Sequence, residues 1–207
     1  MTSSLGAVRL FFAAALVVAA AAPPSAQVGK SQGVADINTM TTGDVAALPG
    51  LTPAIASALV AKRPFNSITE LNAFLLSQGL TQEQAAAVYG KAFVHINLNT
   101  ATADEIMLVP GAGRRMAREF PEYRPWKTYA QFDREIGKYV GPEATARLAQ
   151  YTFIPMNANA ATDADLLTVP GATQAWVDKV KKGRPYKTAA DLEKVAGKAQ
   201  ARFFVIE

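Results

Sequence analysis

The strongest constraint on what this chain can fold into is a turn that the sequence uses three times. Leu48-Pro49-Gly50 returns as Val109-Pro110-Gly111 and again as Val169-Pro170-Gly171, with the prolines 61 and 60 positions apart. The same offsets carry Arg63-Pro64-Phe65 onto Arg124-Pro125-Trp126 and Arg184-Pro185-Tyr186, Asn38 onto Asn99 and Asn159, and Thr41 onto Thr102 and Thr162. Four separated features sharing one period mark an internal repeat. Each copy is then one small supersecondary unit, and neighbouring copies are expected to stack so as to bury what a unit of about 60 residues leaves open.

Each copy opens on a helix-start signal. Thr41 precedes Asp44, Thr102 precedes Glu105 and Thr162 precedes Asp165 by three residues, the spacing at which a hydroxyl and a carboxylate satisfy each other's orphan backbone N–H groups. Apolar residues follow at helical spacing, such as Ile106 with Val109 and Leu166 with Val169. The Pro-Gly pair ends the short helix, since proline withholds a donor and glycine accepts a left-handed turn. A second helix follows at once, over Ala54 to Ala61 and Arg114 to Phe120 in the first two copies. The expected fold is therefore all-α, each unit being helix, tight hairpin, helix.

A weaker second hairpin closes the first copy at Gly79-Leu80-Thr81 and the second at Gly141-Pro142. The tail spans 22 positions from Leu71 to Phe93 and 21 from Phe132 to Phe153, but only 11 from Leu192 to Phe203, so the third copy is truncated and keeps only Gly197 of that hairpin. The end segments Phe93-Val94, Phe153-Ile154 and Phe203 to Ile206 read as closing pieces that pack back on their units. The expected boundaries are 36–95, 96–155 and 156–207, with 27–35, rich in Gly, Gln and Ser, as a flexible leader.

Ahead of that leader, Arg9 is followed by 13 apolar residues from Leu10 to Ala22 and then by Pro23-Pro24-Ser25-Ala26. A basic start, a short apolar stretch and a small-residue exit read as a secretory signal peptide over 1–26. The stretch is shorter than the roughly 18 residues of a spanning helix, so no span is expected in the mature chain, which would be periplasmic or otherwise extracytoplasmic. Absence of cysteine removes disulfides and any lipidated cysteine, leaving apolar packing to hold the fold.

The chain carries 21 basic and 17 acidic residues, and losing Arg9 with the signal peptide lowers the excess from +4 to +3. So small an excess argues nothing by itself, and its distribution says more. Residues 36–95 hold 3 basic and 4 acidic side chains, residues 96–155 hold 8 and 7, and residues 156–207 hold 8 and 6. The sequence carries no catalytic constellation, and the chain is expected not to be an enzyme. One histidine, His95, and no cysteine exclude the usual zinc sets and cysteine–histidine chemistry; no cofactor or metal is expected, and His95 is read as structural. The Arg-Pro-aromatic triplets are read as core plugs with a helix-end charge rather than base-stacking platforms.

Ile96-Asn97-Leu98-Asn99-Thr100-Ala101-Thr102-Ala103-Asp104-Glu105, then Val109-Pro110-Gly111-Ala112-Gly113 and Arg124-Pro125-Trp126-Lys127-Thr128, resemble the helix-hairpin-helix domain of the ComEA family, exported DNA receptors of natural competence. The resemblance covers nearly all of the mature chain, three times over. It implies a tandem array of three helix-hairpin-helix (SAM-like) units that bind duplex DNA without reading sequence, in DNA uptake and transformation, with envelope or uptake-machinery proteins as further partners. In that family the hairpin's backbone N–H groups meet phosphate oxygens. A glycine turn leaves those groups unobstructed and the following helix points its positive dipole end at the same spot.

By that mechanism the copies are unequal. Only the second has Gly-x-Gly, as Gly111-Ala112-Gly113, and it continues with Arg114, Arg115 and Arg118. The third departs at the second glycine, as Gly171-Ala172-Thr173, and places Lys179, Lys181 and Lys182 further along. The first, Gly50-Leu51-Thr52-Pro53, has no basic residue until Lys62. Phosphate contact is expected first at the second hairpin, then at Gly171, Ala172, Thr173, Lys179 and Lys182 of the third, with the first structural. The alternative is a scaffold that binds protein and not DNA in the cell envelope. Arg184-Pro185-Tyr186-Lys187-Thr188 also resembles the small extrinsic lumenal subunit of photosystem II, an exported helix-hairpin-helix protein whose role is docking.

Overall fold

The computed structural model describes residues 34–207; the expected signal peptide and most of the expected leader lie outside the described residues. The chain is mostly α-helical. In order come β1 (Ala35–Asp36), α1 (Thr42–Ala46), α2 (Pro53–Lys62), α3 (Ile68–Ser77), α4 (Gln82–Tyr89) and β2 (Ala92–Phe93). Then follow β3 (Ile96–Asn97), α5 (Ala103–Met107), α6 (Gly113–Glu122), α7 (Tyr129–Ala149) and β4 (Thr152–Phe153). The last stretch holds β5 (Met156–Asn157), α8 (Asp163–Leu166), α9 (Gln174–Lys182), α10 (Ala189–Ala196), α11 (Lys198–Ala201) and β6 (Phe204–Val205).

The strands are two residues long and pair in parallel, β1 with β2, β3 with β4 and β5 with β6. Each closing segment thus returns beside its own opening segment, which is how Phe93, Phe153 and Val205 come to close the three stretches. Packing begins earlier than expected at the N-terminal end. Val34 is buried and Ala35 pairs with Ala92, so the last two residues assigned to a flexible leader belong to the fold, an apolar residue and a strand partner outweighing the polar run before them.

The turn chemistry expected from sequence is present. Thr102 and Thr162 form reciprocal capping boxes with Glu105 and Asp165. Thr41 accepts from the Asp44 amide, but the Asp44 carboxylate accepts from the Thr41 hydroxyl (2.7 Å), so the first box is half made. Gly50, Gly111 and Gly171 have φ of 74°, 84° and 73°, a conformation only glycine adopts freely. Gly141, at φ 76°, breaks α7 where the second hairpin is expected.

Three turns share one set of tertiary hydrogen bonds. The Asn38 side chain both donates to the Phe65 carbonyl (2.9 Å) and accepts from its amide (2.8 Å). Asn99 does the same to Trp126, and Asn159 to Tyr186. Beside each hook an arginine donates to a loop carbonyl: Arg63 to Met40, Arg124 to Ala101 and Leu98, Arg184 to Ala161. Phe65, Trp126 and Tyr186 are buried, as a plug requires. The arginine, however, is a clamp on loop carbonyls rather than a helix-end charge, because those carbonyls have no partner in regular structure and a fork of donors fits them.

The core is divided unevenly. Buried apolar residues from Val34 to Tyr151 form one continuous cluster that includes Leu59, Phe93, Ile106, Phe120 and Trp126. Residues from Ala158 to Ala201 form a second, and Phe153, Val169 and Phe203 a small third. Among the described residues no helix is long and apolar enough to cross a membrane.

Candidate nucleic-acid interface

The three Pro-Gly hairpins start from nearly the same residues and end in different surroundings. In the second, Gly111 (φ 84°) and Gly113 (φ 63°) have nothing within 4 Å of where a side chain would begin, so both faces of the turn are open. Helix α6 starts with no side chain capping it. The leading N–H groups of an α-helix have no partner within the helix, and an uncapped end offers them to solvent or to an anion. The Ala112 amide is not among them, because it donates to the Val109 carbonyl (3.0 Å) and Ala112 is buried. Of the residues expected at this hairpin, Ala112 therefore offers no free amide, while Gly111 and Gly113 flank it.

The three arginines separate as well. Arg114 and Arg118 are exposed and make no ion pair among the described residues. Arg115 is also exposed, but its guanidinium lies 4.5 Å from the centre of the Tyr139 ring. Tyr139 is hydrogen-bonded through its hydroxyl to Tyr123 (2.7 Å), and Lys138 sits over the Tyr123 ring at 5.8 Å. The hydrogen bond with Tyr123 pushes the Tyr139 hydroxyl's pKa up. Sequence reasoning missed this platform. Tyr123 and Tyr139 lie outside the repeated motifs, and only the fold of α6 against α7 brings them together.

The third hairpin is contacted on one side, although Gly171 and Thr173 stay exposed. A side chain built at Gly171 would come within 3.0 Å of Thr39 Cβ, the Gln200 amide donates to the Pro170 carbonyl (3.2 Å), and Pro170 is buried. Ala172 spends its amide on Val169 (2.9 Å), and the Thr173 hydroxyl caps α9 by accepting from the Trp176 amide (3.2 Å). Gly171, Ala172 and Thr173 therefore form a turn that leans on Thr39, just after β1, and serves its own helix. Of the lysines, Lys181 is paired with Asp163 (2.6 Å), whereas Lys179 and Lys182 are exposed without an ion pair among the described residues. In the first hairpin Thr52 caps α2, and Lys62 is paired with Glu70 (3.0 Å).

A cleft of about 240 Å³ opens beside the second hairpin, between Gln82, Ala86 and Tyr89 of α4 and Met107, Pro110 and Gly113. Met107 is 44 % exposed there. Comparison with protein-family models, with curated proteins and with solved structures finds no match to this chain.

Proposed function

We propose that this chain is a tandem array of three helix-hairpin-helix (SAM-like) units of ComEA type, the third truncated. It is exported from the cytoplasm and grips duplex DNA by the phosphate backbone without reading sequence, in the service of DNA uptake. The observation that carries this reading is the second hairpin: two open positive-φ glycines, an uncapped helix N-terminus and two unpaired exposed arginines within eight residues. The Gly111 and Gly113 turn and the first amides of α6 would hold a phosphate oxygen, while Arg114 and Arg118 add charge. Arg115, seated on Tyr139, is a fixed cation beside the turn. Contact through the backbone amides of the turn carries no base information, which favours sequence-independent binding.

A gel-shift titration with unrelated duplexes at two salt concentrations tests the reading. Dissociation constants on the order of 10⁻⁴ to 10⁻⁶ M, similar across sequences and weakening steeply with salt, are expected of phosphate-dominated contact. No shift at low salt would overturn it. The exposed Met107 at the mouth of the α4–α5 cleft then favours the second reading, a protein-docking scaffold of the cell envelope.

A further inference from the structure

At the repeat position of Asp36 the other two stretches carry Asn97 and Asn157. All three side chains do one local job. Asp36 accepts from the Asn38 amide (3.0 Å), Asn97 from the Asn99 amide (2.9 Å) and Asn157 from the Asn159 amide (2.9 Å). A neutral amide suffices for that turn, so the charge on Asp36 has another purpose. Its second oxygen meets His95 Nδ1 at 3.1 Å and Arg202 Nη1 at 3.5 Å. Arg202 also donates to the His95 carbonyl, and its guanidinium lies against the rings of Phe153 and Phe203 at 5.6 and 5.3 Å. The three residues come from the first strand, from the linker between β2 and β3, and from the last turn of the chain. Asp36 and His95 are fully buried.

The turn that holds this cluster also holds the third hairpin. The Asp36 carbonyl accepts from both the amide (3.0 Å) and the hydroxyl (3.2 Å) of Thr39, whose Cβ is what a side chain at Gly171 would strike. From the other side Gln200, two residues before Arg202, grips the Pro170 carbonyl. We propose that Asp36, His95 and Arg202 form a clasp that fastens the last turn of the chain to β1 and keeps the third hairpin turned against Thr39, away from a duplex. The clasp is a closed state of the molecule. Opening it would release the Gly171 turn from Thr39 and let it reach a phosphate beside the already exposed Lys179 and Lys182, a consequence that rests on the DNA reading above.

Asp36→Asn is the direct probe, because Asn97 and Asn157 show that asparagine supports the same turn. Arg202→Met, which keeps an apolar stem against Phe153 and Phe203, is the second. Hydrogen exchange of the purified chain reads the clasp without DNA: amides of 200–206 and 169–172 are expected to exchange several-fold faster in both variants, with 109–120 unchanged. Unchanged exchange in the third stretch in both variants overturns the clasp. Fluorescence titration with a duplex reads the occlusion. The plot of log affinity against log salt should steepen in Asp36→Asn by about 0.9 for every further phosphate neutralised, and adding Lys179→Ala with Lys182→Ala to Asp36→Asn should cancel that gain. Faster exchange with an unchanged slope, in a parent that binds, overturns the occlusion. A parent that fails to bind sinks the DNA reading instead, and the clasp is then decided by exchange alone.

Discussion

The second and third hairpins share Val-Pro-Gly-Ala, yet one presents an open turn and the other a turn pressed on Thr39. Two differences separate them. One is local: the position after Ala112 is Gly113, whereas its counterpart after Ala172 is Thr173, which caps its own helix. The other is distant, since the third hairpin has Thr39, just after β1, and Gln200, near the end of the chain, packed against it and the second does not. The same tetrapeptide can therefore serve as an anion cradle or as an internal joint, and sequence at the turn sets only the first condition.

The largest expected effect strikes the open hairpin. Arg114, Arg115 and Arg118 changed together to alanine should weaken binding to every duplex and lower the salt slope by about 0.9 for each phosphate that is no longer neutralised. Lys62→Ala should leave both unchanged, because Lys62 is committed to Glu70. A triple variant with parental affinity and slope would move the site to Lys179 and Lys182.

Next comes the clasp that closes the other hairpin, read through pH. Burial pushes the Asp36 carboxyl up, but the hydrogen bond and charge of His95, the Arg202 guanidinium and the Asn38 amide together outweigh it and hold the carboxyl below its ordinary range. Its stabilising contribution is thus present above the unfolded value of about 3.9 and disappears as pH falls through the lower folded value. At neutral pH Asp36→Asn should cost about 3–5 kcal/mol, the range for breaking a buried charge pair. In urea unfolding the gap between parent and variant should narrow as pH is taken down from about 5 through the unfolded value of about 3.9 and below it. A constant gap would show that the charge at Asp36 contributes nothing.

Gly113→Thr transplants the neighbours' residue into the open turn. A left-handed non-glycine residue costs about 1–2 kcal/mol, and a threonine cap returns about 1 kcal/mol if the backbone relaxes toward the Thr173 conformation. Duplex affinity should fall with circular dichroism unchanged. Retained affinity would show that the open turn at Gly113 is not needed.

The smallest effect is expected of the reverse swap. Thr173→Gly removes a cap at a cost of a few tenths of a kcal/mol, and it should confer no duplex affinity, because Thr39 still faces Gly171. A gain in affinity would mean that capping alone, and not docking, silences the third hairpin.

Several of these features were legible in the chain itself. The period of 60–61 residues located the turns, capping threonines and aromatic plugs, because each depends on residues within one turn of helix or on a glycine's freedom at positive φ. Asn38, Asn99 and Asn159 stood out as recurrent, but their hydrogen bonds to Phe65, Trp126 and Tyr186 span 27 positions and have no local signature. The lone Asp36 among Asn97 and Asn157 was the one readable hint of the clasp, a charge placed where the turn needs none.

Residue order was enough to settle the mostly helical character, the hairpins and the uneven spread of basic residues, since propensity, capping and left-handed turns are decided over a few neighbouring positions. Which hairpin stays open, which cations remain unpaired and where Arg202 lands were settled only by packing. Those outcomes depend on residues more than a hundred positions apart, such as Thr39 with Gly171 or Asp36 with Arg202, coming together within a few ångströms. A period in the sequence brings such residues into corresponding turns, but only the folded chain brings the turns together.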